Sequence, residues 1–206
     1  LSSIVPRLYS ILLLLAGGLL LFSGSIPSNP TRLDWSDLVP LPVVELSHLT
    51  GSLVGVLLLF LARGIRLKID VAWYSSIALL CLGIVSSLLK GFDWHEALAL
   101  FVILLLMLPT RSHFQRQSSL LHISFSSSWL ITIAAVLVGT IWLGFFAYKD
   151  VQYSHDLWWQ FSYDGNAPRF LRALLLVSVV MVIYGLSRLL NAVSYTHLTL
   201  PTILLV

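Results

Sequence analysis

Long apolar runs separated by short polar stretches set the pattern of this chain. Six runs occupy 8–26, 42–62, 71–89, 94–108, 129–148 and 170–190. A spanning helix needs about 20 mostly apolar residues. These runs are too long for strands, and a helix in lipid satisfies its own backbone N–H and C=O groups. The pattern predicts an all-α fold, a polytopic transmembrane bundle of about six spans. The run at 94–108 is the shortest. The first run has neither the length nor the small-residue cleavage site of a signal peptide.

Composition narrows the class further. Of 206 residues, 58% are hydrophobic and 10% charged, and the mean hydropathy is +0.93. Soluble domains carry about 25% charged residues, so this chain cannot cover itself with polar surface. A soluble enzyme, a nucleic-acid module and a disordered linker are excluded. Cys81 is the one cysteine, which rules out an internal disulfide, a zinc site or a redox pair built from cysteines. No nucleophile–base arrangement, phosphate loop or nucleotide signature appears. No cofactor and no metal are expected.

Charge sets an expected orientation. One alternating set of connections holds Arg7, Arg63, Arg66, Lys68, Arg111, Arg116 and Arg188, with Asp70 its lone acid. The other holds Arg32, Lys90, Lys149, Arg169 and Arg172 together with the remaining acids. Lys and Arg favour the cytoplasmic side, so the first set is expected inside, with both ends of the chain cytoplasmic. Trp35, Trp94, Trp158 and Trp159 then mark the outer interface, Trp73 and Trp129 the inner one. The connections 27–41 and 149–167 are long for a minimal bundle. The second is aromatic-rich and expected to fold onto the membrane surface or over the bundle.

Several polar residues are functional candidates. Glu45 and His48 are spaced i,i+3 and share a helix face; ionisable groups within a span default to functional candidates. They line a polar cavity or serve as interfacial caps, and a metal role would need further carboxylates. Ser47, Gly51 and Gly55 make a small-residue stripe suited to close packing. In LLKGFDWHEA, Gly91 permits a tight turn, and Asp93 with Glu96 reads as a capping box; the alternative is that Lys90 meets a lipid phosphate. Arg169 and Arg172 follow Pro168 in a first helical turn, where the helix dipole disfavours cations. Asp156, Asp164 or a phospholipid phosphate is expected to compensate them. Arg63, Arg66 and Lys68 form a basic collar that sets topology and faces anionic headgroups. Cys81 and Trp142 are expected to pack.

The ends are unusual. The chain starts at Leu1, as a reading frame that began earlier would. Residues 193–202 read VSYTHLTLPT, which looks like the in-frame translation of a transposon-type sequencing adaptor. The expected organisation is a first span and external linker over 1–40, a bundle over 41–192, and an adaptor artefact over 193–206. The natural protein is then expected to continue past Ala192.

Three stretches carry a family resemblance: VELSHLTGSLVGVLLLFLARGIRLKIDVAW at 44–73, SLLKGFDWHEALAL at 87–100 and WWQFSYDGNAPRFLRA at 158–173. In order and spacing they resemble the C-terminal half of the membrane region of the phosphatidylglycerol lysyltransferases. These are the bifunctional aminoacyl-phosphatidylglycerol synthase/flippases known as multiple peptide resistance factors. The resemblance covers about 41–190. It implies a bacterial plasma-membrane protein, with a cytosolic acyltransferase-like domain following the last helix. That domain would move an amino acid, usually lysine, from its tRNA ester to a glycerol hydroxyl of phosphatidylglycerol. The membrane region would pass the product to the outer leaflet, reversing headgroup charge and weakening attraction of cationic antimicrobial peptides.

The expected partners are phosphatidylglycerol and its aminoacylated form within the membrane, with aminoacyl-tRNA reached only through the missing domain. A homo-oligomer is compatible with this. No catalytic residue carries over, and the chain alone is expected to be inactive as a synthase. Glu45, His48, Lys90, Asp93, Arg169 and Arg172 lie in family-like motifs and are the expected lipid-path residues. The alternatives are a stand-alone secondary transporter or lipid channel, or a membrane anchor for another cytosolic enzyme.

Overall fold

The computed structural model describes residues 4–25, 39–114, 127–147, 149 and 166–196. These form six α-helices: α1 (Ile4–Ser25), α2 (Leu41–Arg66), α3 (Asp70–Leu89), α4 (Trp94–Met107), α5 (Ser127–Ala147) and α6 (Asn166–Thr196). A 3-10 segment, Leu108–His113, extends α4. Five helical segments among the described residues are long and apolar enough to cross a membrane. The chain is a multi-pass α-helical membrane protein. Its outward surface agrees: Val85, Leu98, Phe101, Ile131, Val138 and Val182 are exposed, a coat that water would not tolerate at this density.

The helices begin and end where local chemistry dictates. α2 opens with Pro42 in its first turn, where a missing N–H costs nothing. It closes in a Schellman motif: Ile69 N–H donates to the Gly64 carbonyl at 3.1 Å and Lys68 N–H to Ile65 at 3.0 Å. Lys68 holds the left-handed position at φ 61°, a place usually given to glycine. The α3–α4 turn uses Gly91 at φ 151°, as the sequence predicts.

The fourth run is longer than expected. Its 3-10 continuation brings Arg111 onto the helical rod, and changing from α to 3-10 pairing frees carbonyls near the end of α4. Side chains from α1 and α3 take them up, Tyr9 Oη donating to the Leu106 carbonyl and Trp73 Nε1 to that of Met107 at 3.3 Å, and within the segment Thr110 Oγ1 donates to Met107 at 2.6 Å.

α1 and α2 form the centre of the bundle, with α3 and α4 to one side and α5 and α6 packed on α1 and α2 respectively. Leu13, Leu20, Leu58, Leu59, Ile65 and Leu80 are fully enclosed there. The expected small-residue stripe is used selectively. A Cβ on Gly55 would sit 2.9 Å from the Gly17 carbonyl oxygen, and one on Gly17 would sit 2.6 Å from that of Gly55, whereas nothing lies within 4 Å of Gly51. The two backbones meet at the glycines, the close approach that small residues allow in membranes. Gly17→Ala is expected to cost about 1–3 kcal/mol by overpacking, and Gly51→Ala to be tolerated, as read from unfolding midpoints in detergent.

Cys81 and Trp142 do not pack in the interior; both are exposed. Apolar character predicts burial only in water. In a bilayer the outer face of a helix is apolar too, so hydrophobicity no longer separates inside from outside.

Candidate functional site

The antiparallel helices bring six ends to one side of the bundle: the ends of α1, α3 and α5 and the starts of α2, α4 and α6. Two buried charge clusters sit there. In the first, Arg169 Nε donates to Glu45 Oε1 at 3.0 Å and Arg172 Nη2 donates to Glu45 Oε2. Glu45 and Arg169 are buried, with 9% and 3% of their side chains exposed. One carboxylate thus bridges two guanidiniums, one on each oxygen, and ties α6 to α2.

In the second cluster, Lys90 Nζ contacts both Glu96 oxygens at 3.0 and 2.8 Å and Ser23 Oγ at 2.9 Å. Ser87 Oγ donates to Glu96 Oε1 at 2.8 Å. This network joins α1, α3 and α4. His48, one helical turn beyond Glu45, lies between the clusters: its ring meets the Lys90 backbone, and Lys90, Arg169 and Arg172 all act on it electrostatically. Its Nε2 is buried without a hydrogen-bond partner.

The structure brings Glu45, His48, Lys90, Arg169 and Arg172 to one end of the bundle and joins Glu45 to both arginines. Among the described residues, the anion that meets both arginines is Glu45, 124 residues before Arg169. Asp156 and Asp164, the sequence candidates, lie outside the described residues. The capping box does not form. Asp93 holds the N-cap position of α4 without a side-chain capping bond, and its N–H donates to the Ser87 carbonyl at 3.0 Å. Glu96 turns instead to Lys90, because a buried ammonium needs a carboxylate more than an exposed helix end needs a cap. Nothing in the sequence singles out Ser23 and Ser87; a serine in an apolar run carries no mark of its partner.

Beside the first cluster, a cavity of about 410 Å³ runs between α5 and α6 and is floored by α1 and α2. Its walls are apolar, including Leu137, Ile141, Leu174 and Val177, with Ser25 and Ser52 as small polar points. Both serine hydroxyls donate to carbonyls of their own helices, the usual way to satisfy a hydroxyl in lipid. Phe170, next to Arg169, also lines the cavity. Its ring stacks edge-on with Phe145 at 5.6 Å and lies so close over Gly144 that a Cβ there would collide with it. An apolar groove thus adjoins a buried ionic cluster through one pair of neighbouring residues. Such a pocket falls in the range of small-molecule sites, and its two chemistries suit an amphiphile with a charged head.

Compared with protein-family models and with curated proteins, the chain finds no match.

Proposed function

We propose that this chain is the lipid-handling membrane part of an aminoacyl-phosphatidylglycerol synthase/flippase, the family its motifs resemble. The carrying observation is the juxtaposition of the Glu45–Arg169–Arg172 cluster with the groove that Phe170 shares. An acyl chain fits the apolar walls, and a phosphodiester fits an arginine pair that already reads a carboxylate. An aminoacylated headgroup adds an ammonium that Glu45 can receive. Under this reading the protein resides in the bacterial plasma membrane, its ends face the cytoplasm, and a cytosolic transferase domain follows in the natural protein.

Lipid passage is the activity to test. Vesicles carrying lysyl-phosphatidylglycerol in one leaflet are reconstituted with the chain, and an impermeant amine reagent reports its arrival in the other. Faster arrival than in protein-free vesicles, slowed by Arg169→Gln, is the expected result. Equal rates with and without protein would remove the passage function.

A further inference from the structure

The opposite end of the bundle holds a second basic site. α2 ends on Arg63 and Arg66, whose guanidinium carbons stand 6.0 and 5.9 Å from the ring centre of Trp129, at the start of α5. Trp129 is 6% exposed. Its indole Nε1 and the Nε of Arg63 are both buried without a hydrogen-bond partner. Among the described residues no ion pair joins either arginine to a carboxylate.

The dipole of α2 explains why cations are tolerated at its C-terminus, but it does not satisfy these donors. The carbonyls of Arg63, Gly64 and Ile65 accept the backbone N–H groups of the Schellman turn. A buried N–H left unpaired is costly, and here two of them lie under two positive charges. The missing acceptor is therefore anionic and able to receive several hydrogen bonds. It must also reach the end of a membrane-spanning helix. A phosphate meets all three requirements, and basic pockets between spanning helices hold lipid phosphates at headgroup depth.

We infer that Arg63, Arg66 and Trp129 form a binding site for the phosphodiester of an anionic phospholipid in the leaflet at this end of the bundle. The site is separate from the Glu45 cluster and does not depend on the function proposed above. Trp129 supplies an N–H and a flat apolar face at interface depth, and the two arginines supply the charge.

The test is the indole proton of Trp129, assigned by its disappearance in Trp129→Phe, with the full chain in lipid nanodiscs. In phosphatidylglycerol discs its exchange with water should be slower than in discs of a phosphate-free glycolipid by about tenfold, the ratio one charge-assisted hydrogen bond supplies. Arg63→Gln with Arg66→Gln should return it to the glycolipid rate. Trp129→Phe, which keeps an aromatic face and removes the donor, should lower phosphatidylglycerol retention in native mass spectrometry. Equal exchange in the two discs of the unaltered protein would overturn the inference. So would slow exchange that ignores the arginine substitutions. Protection restored by millimolar inorganic phosphate in glycolipid discs would assign the site to free phosphate and overturn the lipid assignment.

Discussion

Glu45→Gln should be among the most destabilising single substitutions in this protein. It keeps the size of the side chain and removes the charge that Arg169 and Arg172 share. Breaking a buried ion pair from one side typically costs about 3–5 kcal/mol, because the remaining charge loses a buried counter-ion; here two arginines lose one at once. Arg172→Gln should cost less, about 1–3 kcal/mol, since its side chain is 14% exposed and Arg169 still holds the carboxylate. The triple change of Glu45, Arg169 and Arg172 to leucine should recover most of the loss, because an apolar replacement removes the three buried charges together. That triple variant would also abolish any headgroup recognition at the groove, separating stability from lipid handling. Unfolding followed by near-ultraviolet circular dichroism in detergent measures all three. Equal losses for Glu45→Gln and Arg172→Gln would show that Arg169 alone does not hold the carboxylate.

Pattern alone discloses the helices of this fold, because length and hydrophobicity are what a bilayer selects. It also discloses the Gly91 turn and the residues that gather at one end of the bundle. Partners are less legible. Arg169 and Arg172 in a first turn announce that an anion is needed, and Glu45 in an apolar run announces that a cation is needed. Both signals were present, but only packing of α6 on α2 shows that they answer each other across 124 positions. Glu96 illustrates the converse error. Its spacing from Asp93 suits a capping box, yet spacing is a local cue, and the burial of Lys90 beside it decides the contact. Facing is the least legible property. Val54 and Val138 are alike in the sequence, but one is 1% exposed and the other 64%. In lipid nothing about the side chain distinguishes them; only the neighbouring helix does.

The Lys90–Glu96 pair leads to the second large effect and tests whether this end of the bundle is built for stability or for specificity. Both side chains are nearly sealed, at 3% and 5% exposed, and Glu96 is further held by Ser87. Lys90→Met takes the counter-ion from a buried carboxylate, and Glu96→Met takes the carboxylate from a buried ammonium beside Ser23. Each single change should cost about 3–5 kcal/mol. The double change Lys90→Met with Glu96→Met should cost about 1 kcal/mol or nothing, giving a coupling of several kcal/mol in a double-mutant cycle. Ser87→Ala removes one hydrogen-bond donor from the carboxylate and should cost about 1.5–3 kcal/mol in the unaltered protein but little in the double variant. A stable double variant that still joins α1, α3 and α4 would mean the pair is retained for what it does to neighbouring His48 and the arginine cluster rather than for holding the helices. A double variant as unstable as either single one would mean that apolar packing cannot replace this network, and that the turn between α3 and α4 depends on the charge pair itself.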